Sequence, residues 1–372
     1  MRAVAPSLGA LRQITRGGAG IGKRSIHQST VRNATPIEQQ QQHSYVLPPE
    51  LIEPGVILRG HSGREYTIQN VLQDRQNRQV YLARADKKMF VLKSLFEKDY
   101  QYSLPLQLRF AQSPYLRALR DTVPEQNMFV NEYLTDHLLN FAFKDGVSLA
   151  TQKRILRDTL RGLATLHGQN IAHLDVKANN IMIDYHETTN GEGETIVVVD
   201  RVQLSDLEDS THIPPGQALS GIQVGNQLWR SPEAHVRGAV GKASDIFSLA
   251  IVFIFLRLRN VIFLEPSTTS STSSSLDPTT SILTRQISYF ADWPSFDGFV
   301  SSYLGPSHPW STDLRKMADT FGQDNPRRPF SLWKSDLLDA EFKDLVGRMT
   351  KFDPRERITA EEALGHPWFA DV

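Results

Sequence analysis

The chain has 372 residues, 41 basic and 41 acidic side chains, 40% hydrophobic residues and no cysteine. That is enough apolar material to bury one two-lobed core or two small domains, and too much for a chain disordered throughout. Disulfide frameworks, thiolate metal sites and cysteine nucleophiles are excluded, and balanced charge gives no general electrostatic reason to expect a nucleic-acid partner.

At the N-terminus, Arg2, Arg12, Arg16, Lys23, Arg24 and Arg32 are interleaved with apolar and small residues, and no acid precedes Glu38. This is the composition of a mitochondrial transit peptide. The run Arg24-Ser25-Ile26-His27-Gln28-Ser29 resembles the Arg-x-hydrophobic-x-x-Ser pattern of two-step processing, which places a mature start near Ala34. A presequence over residues 1–37 and a mitochondrial location are therefore expected; the alternative is a basic unstructured tail on a cytoplasmic protein. Residues 38–50, with Gln39 to Gln42 and Pro48-Pro49, form a polar linker that cannot pack a core.

The folded domain is expected over residues 51–372. Tyr66-Thr67-Ile68, Gln79-Val80-Tyr81-Leu82 and Phe90-Val91-Leu92-Lys93 alternate as three antiparallel strands. Pro105 predicts that any helix after Lys93 is short or broken. From Ile155 through Leu156, Leu160, Leu163 and Leu166 to His167 the spacing of three and four predicts a helix ending near Gly168. A strand from Asn180 to Asp184 then pairs with Ile196 to Val199 across a polar insert, Tyr185 to Thr195. The apolar run Leu249 to Leu264 is broken by Arg257 and Arg259, falls short of the roughly 18 residues of a membrane span, and reads as a buried helix. A flexible Ser/Thr-rich insert is expected over 267–281. Strands first and helices after describe an α+β chain with a small antiparallel β lobe, 51–134, and a larger, mainly helical lobe, 135–372.

The informative segment is His173-Leu174-Asp175-Val176-Lys177-Ala178-Asn179-Asn180, between a predicted helix and a predicted strand. Phosphoryl transfer to a hydroxyl needs a carboxylate to orient the nucleophile, a cation near the moving group and oxygen ligands for Mg²⁺; Asp175, Lys177 and Asn180 supply these. The run resembles the protein-kinase catalytic loop H-R-D-x-K-x-x-N, with Leu174 replacing the arginine. Further segments of that family follow in order. Ser205-Asp206-Leu207-Glu208 resembles D-F-G, implying that Asp206 ligates Mg²⁺. Trp229-Arg230-Ser231-Pro232-Glu233 resembles A-P-E. Ser244-Asp245-Ile246-Phe247 resembles the start of the central helix, whose aspartate braces the catalytic loop. Lys351 to Ala360 and Leu364 to Phe369 resemble the C-terminal helices, where Arg357 pairs with Glu233. Upstream, Val91-Leu92-Lys93 is similar to V-A-I-K, whose lysine holds the α and β phosphates. Phe129 to Leu134 is similar to the hinge, with Asn131 at the gatekeeper position and Glu132 and Leu134 contacting adenine through the backbone. The resemblance covers about three hundred residues and implies the two-lobed protein-kinase fold.

Aligning Leu72 to Val80 with the glycine-rich phosphate loop keeps Leu72 and Val80 as apolar nucleotide contacts, but puts Gln73, Arg75 and Arg78 where the pattern has glycines; Arg75 or Arg78 can compensate by charge. The helical glutamate that pairs with the strand lysine has no counterpart near Leu104 and Pro105, and Glu97 is the only nearby glutamate. Leu174 removes the arginine that senses a phosphorylated activation loop, so no such modification is required. Glu208, in place of glycine, limits the backbone's freedom beside Asp206. The resemblance implies an ATP- and Mg²⁺-dependent protein kinase, of the serine/threonine group because Lys177 stands two after the aspartate, with structural roles for His173, Glu233, Asp245 and Arg357. The alternatives are a pseudokinase that binds or scaffolds and a small-molecule kinase of the same fold.

Overall fold

The computed structural model describes residues 51–75, 78–117, 119–264 and 277–372. The expected presequence 1–37, the linker 38–50 and the uninterrupted Ser/Thr run 267–275 lie outside the described residues. After the short β1 (Ile57–Arg59), alternation of buried and exposed side chains produces β2 (Glu65–Arg75), β3 (Arg78–Ala85) and β4 (Lys88–Ser94), the three strands the sequence predicts. With β5 (Leu119–Val123) and β6 (Met128–Glu132) they form an antiparallel sheet of order β1-β2-β3-β4-β6-β5. One face buries Tyr66, Ile68, Tyr81, Leu92 and Val130. Val80 stands opposite Lys93 across the β3–β4 ladder, so the two share the other face.

Helix α1 (Glu97–Arg109) follows β4. The sequence predicts a break at Pro105, yet the helix runs thirteen residues straight through it. Proline lacks the N–H that would bond the Gln101 carbonyl, but both residues lie on the exposed side of the helix, where a missing rung costs least. The loop after α1 is stitched to the other lobe: the Arg117 amide donates to the Leu204 carbonyl at 2.8 Å and the Leu204 amide to the Tyr115 carbonyl at 2.9 Å.

The second lobe contains β7 (Asp136–His137), α2 (Leu138–Phe141) and α3 (Leu149–His167), the last capped by Ser148, whose hydroxyl accepts from the Thr151 amide at 3.1 Å. The predicted stripe of Ile155, Leu156, Leu160, Leu163 and Leu166 is fully buried, and the helix ends at Gly168. Beyond β8 (Ile171–Ala172) the chain enters a long hairpin, β9 (Ile181–Thr189) and β10 (Thr195–Leu204). This corrects the expected pairing: Asp184 faces Arg201 and Ile181 faces Leu204, while Ile196 and Val199 pair with Thr188 and Tyr185. Of the residues expected as an insert, Tyr185 to Thr189 and Thr195 are ladder residues and only 190–194 form the turn, while an irregularity between Val199 and Arg201 shifts the register.

Strand β11 (Thr211–His212) pairs with β8. After α4 (Pro232–His235), α5 (Lys242–Leu258) is buried from Ser244 to Arg257, which accounts for its apolar run, and leaves the helix through Arg259 at φ 53°. Helix α6 (Pro278–Phe290) starts inside the span expected as the Ser/Thr insert; the Asp277 carboxylate caps it by accepting from the Thr279 and Thr280 amides at 3.0 and 3.3 Å. The remaining α-helices are α7 (Trp293–Asp297), which runs on into a π-helical segment over Gly298–Leu304, α8 (Ser311–Asp319), α9 (Ala340–Met349) and α10 (Ala360–Leu364). Trp368 closes the core between Phe253 and Phe342. The architecture is thus the expected α+β fold of two lobes, and no helix among the described residues is long and apolar enough to cross a membrane.

Candidate active site

The cleft between the lobes is organised by a carboxylate beneath it. Asp245, on α5 and 1% exposed, accepts from the His173 and Leu174 amides, each at 2.8 Å, and lies 2.9 Å from His167 Nε2. Two adjacent amides converging on one carboxylate bend the loop after β8, and hold Leu174 at φ 67°, a conformation that costs a bulky side chain energy. The buried His173 ring donates from Nε2 to the Ser205 carbonyl at 2.9 Å and accepts at Nδ1 from the Asp175 amide at 3.3 Å. It ties the loop to the end of β10.

Asp175 projects from this braced loop. Lys177 Nζ donates to its Oδ2 at 2.6 Å, and Asn180 Nδ2 donates to its carbonyl and to Oδ2 at 2.9 and 3.2 Å. With the Asn180 nitrogen committed, Oδ1 is the atom left to face a cation. Burial pushes the Asp175 carboxyl above its ordinary value; Lys177 pulls against this, and the charges of Asp206 and Asp209 add to it.

Asp206 stands just beyond β10 at φ 68°. Lys93, at the end of β4, pairs with Asp206 and lies 3.1 Å from Glu208 Oε1, joining the two lobes. Burial opposes the charge on Lys93, but the two carboxylates hold its ammonium above the ordinary range. Burial likewise opposes the Asp206 carboxylate, yet Lys93, with Lys177 adding, keeps it well below the usual value. For Glu208 burial wins: its carboxyl is pushed up to about 7, with the Asp206 charge adding, and Oε2 is buried without a partner. Glu97, the glutamate available in the sequence, sits exposed at the start of α1. The carboxylates that meet Lys93 come from the opposite lobe. The signal for this lay in two departures read separately, an acid where glycine is usual and no glutamate on the helix.

At the hinge the Glu132 carboxylate pairs with Arg201 at 3.0 Å and Arg120 at 3.5 Å, while its carbonyl accepts from Arg117 Nη2 at 3.2 Å. Asn131 lies within β6, opposite Val91 of β4. Leu134 is buried, and its amide donates to no backbone carbonyl among the described residues. Above them Val80 is half-buried on the Lys93 face, and Leu72 is the extra residue of a bulge in β2, 50% exposed. Arg78 is not free for phosphate, as the sequence allows: it pairs with Asp99 of α1 at 2.6 Å and lies over the Phe96 ring. Its local role is to anchor the hairpin to the helix.

Further from the cleft, Arg357 forks onto Glu233, with Nη2 at 2.8 Å from Oε2, and both are buried. The structure therefore brings Lys93, Asp175, Lys177, Asn180 and Asp206 into one cleft, supported from below by His173 and Asp245. Among the described residues no cluster of three or more His, Cys, Asp or Glu side chains could hold a metal ion. Asn180 Oδ1 and the Asp206 carboxylate are hard oxygen donors of the kind Mg²⁺ accepts when phosphate oxygens and water complete its shell.

Residues 79–369 match the protein kinase domain family. The chain is 26% identical over 227 residues to Cyclin-dependent kinase 4 of Xenopus laevis, covering 61% of this chain and 59% of that protein. It is 26% identical over 214 residues to Extracellular signal-regulated kinase 1 of Dictyostelium discoideum, covering 57% and 34%. It is 26% identical over 205 residues to Serine/threonine-protein kinase PAK 1 of Mus musculus, covering 53% and 33%. The matches thus span between about a third and three fifths of the length of these curated relatives.

Proposed function

The chain belongs to the protein kinase family, and we propose that it transfers the γ-phosphoryl group of Mg-ATP, the family's donor, to serine or threonine hydroxyls of a protein substrate. The observation that carries this reading is the Asp175 carboxylate, 8% exposed and held at once by Lys177 and Asn180 beside Asp206. Asp175 orients the attacking hydroxyl and takes its proton. Lys177 offsets negative charge on the phosphoryl group as it moves. Asn180 and Asp206 would hold Mg²⁺, and Lys93 would position the phosphates. Lys177 and the printed name of PAK 1 favour serine and threonine over tyrosine. The test is transfer of labelled γ-phosphate from Mg-ATP to the protein itself and to a basic protein substrate. Asp175→Asn should lower the rate about 100-fold or more. Absence of transfer, together with no rise in melting temperature on adding Mg-nucleotide, would sink the proposal.

A second reading, a binding module without turnover, is favoured by one feature: Lys93 is already engaged by Asp206 and Glu208, beneath a hairpin that has no glycines. Nucleotide binding without transfer would support it. The basic composition of residues 1–37 supports delivery to the mitochondrion. A fusion of residues 1–50 to a fluorescent reporter tests this, and a diffuse cytosolic signal would defeat it.

A further inference from the structure

On helix α3, Arg154, Arg157, Asp158 and Arg161 stand at i, i+3, i+4 and i+7, the spacing of one helix face. Arg120 of β5 and Arg201 of β10 meet them around a hollow of about 540 Å³, lined by these five arginines and by two carboxylates, Asp158 and Asp200. Lys93, Asp175 and Asp206 do not line it, so it is separate from the cleft.

Four of the five guanidinia are pinned. Arg154 donates to the Val199 and Asp200 carbonyls at 2.5 and 3.2 Å. Arg161 donates to Asp158 at 2.8 Å and lies over the Tyr115 ring. Arg201 pairs with Asp184 and Glu132 at 2.7 and 3.0 Å, and Arg120 with Glu132 at 3.5 Å, through carboxylates that do not line the hollow. The Asp200 carboxylate lies 3.0 Å from His186. Each pinned guanidinium keeps N–H groups over, because it carries five. Arg157 differs. Its Nε is buried without an acceptor, and its guanidinium has neither hydrogen bond nor ion pair among the described residues. Buried donors normally find a partner, because leaving one unmade is costly.

Five arginines against two carboxylates leave three positive charges in excess in the walls, in a chain whose formal net charge is zero. The attraction is therefore local, and it is for anions. Arginines held in place meet phosphoryl oxygens with paired N–H bonds and lose little freedom in doing so. From Arg154 to Arg161 the helix rises about 10 Å, more than one phosphoryl group spans. Apart from the Tyr115 ring, already covered by Arg161, the apolar lining is Ala111, Pro114 and Val202, so side chains of a docked peptide would find little to pack on. The volume is that of a small-molecule site.

We propose that this hollow binds a small molecule carrying two or more phosphoryl groups. The experiment is a calorimetric titration of the full chain with inositol hexakisphosphate and with inorganic tripolyphosphate, at about 0.15 M salt, beside sulfate and a doubly phosphorylated peptide. Both polyphosphates should bind with a Kd of about 10 μM or tighter. Arg157→Gln breaks no hydrogen bond or ion pair, so it should keep the melting temperature while weakening binding about tenfold or more. Arg120→Gln should weaken it as well, and Lys93→Met should leave it unchanged. Absence of binding, binding untouched by both arginine variants, or binding lost in Lys93→Met would overturn the site. Displacement of the polyphosphates by an equal concentration of sulfate would do the same. Tighter binding of the phosphopeptide would give the hollow to a protein partner and overturn the small-molecule assignment. The two arginines lie on different elements, so either variant decides the matter where the other does not fold.

Discussion

Glu208 Oε1 lies 3.1 Å from Lys93 Nζ, reaching across from the helical lobe to a lysine on the β sheet. In the kinase pattern that lysine meets a glutamate of the helix following its strand; here α1 contributes none, and the acid arrives from the segment Asp206-Leu207-Glu208, at the position where the family carries glycine. The two departures compensate each other. The contact that aligns the lysine also closes the two lobes, so whatever disturbs Glu208 acts on both.

Glu208 gives the fold a pH dependence near neutrality. Burial raises its carboxyl from an ordinary value of 4.5 to about 7. The folded chain therefore keeps a proton that the unfolded chain has released. That contribution is fully present below pH 4.5 and is lost as pH rises through 7. Between pH 6 and 8 the protein should lose about 1 kcal/mol from this group. Asp206, held low, stays ionised throughout and adds no slope. Glu208→Gln cannot titrate and should flatten the profile. Denaturant titrations at both pH values measure this, and equal slopes for the two proteins would refute it.

Asp245 holds the loop from His173 to Asn180 in a shape its sequence does not favour. Replacing it with alanine strands the buried His173 and Leu174 amides and leaves Leu174 at φ 67° without support. Each buried unsatisfied donor costs about 1–3 kcal/mol, so Asp245→Ala should destabilise by about 3 kcal/mol or more. Asp245→Asn keeps one acceptor oxygen and should cost roughly half as much. A loss below about 1 kcal/mol for the alanine variant in urea unfolding would show that the loop holds its shape by other means.

What could be read in advance was local. The strands around Tyr81 and Leu92 announce themselves by alternation, the helix Leu149–His167 by its stripe, and the loop from His173 to Asn180 by a spacing whose chemistry is complete within eight residues. The contacts that remained hidden join distant positions. Lys93 and Glu208 meet only across the two lobes of the folded chain, and Arg117 reaches Glu132 from a loop of no distinctive composition. The β9–β10 register was misread because polar residues such as Glu187 and Thr188 form half-exposed ladder rungs, which alternation in a short window does not separate from a loop.

Pro105 is a residue whose removal should help. Alanine would restore an N–H for the Gln101 carbonyl and relieve the ring against the preceding turn, while the loss of proline's restraint on the unfolded chain offsets part of the gain. Pro105→Ala should therefore stabilise by about 1–2 kcal/mol. The check is chemical denaturation with an unchanged m-value. A destabilised variant would mean that proline's fixed backbone geometry is needed to seat α1, whose Tyr100 packs on Phe129.

Glu233 and Arg357 make the sharpest energetic test, because nothing in their environment screens them. Arg357 uses all its donors: Nε to the Lys351 carbonyl, Nη1 to Glu233 and the Ala243 carbonyl, Nη2 to Glu233 and the Phe352 carbonyl, with the guanidinium over the Phe247 ring. Glu233 accepts in addition from the Ser244 hydroxyl at 2.8 Å. Desolvating both charges consumes much of their mutual attraction, so the pair adds little net stability over an apolar equivalent, but removing one partner abandons a buried charge. Glu233→Ala and Arg357→Ala should each cost about 3–5 kcal/mol, and Glu233→Ala combined with Arg357→Ala should cost clearly less than the two single losses added. A double-variant cycle in urea decides it. Strict additivity would mean that the two side chains act separately, with Arg357 contributing through its three carbonyl contacts rather than through the ion pair.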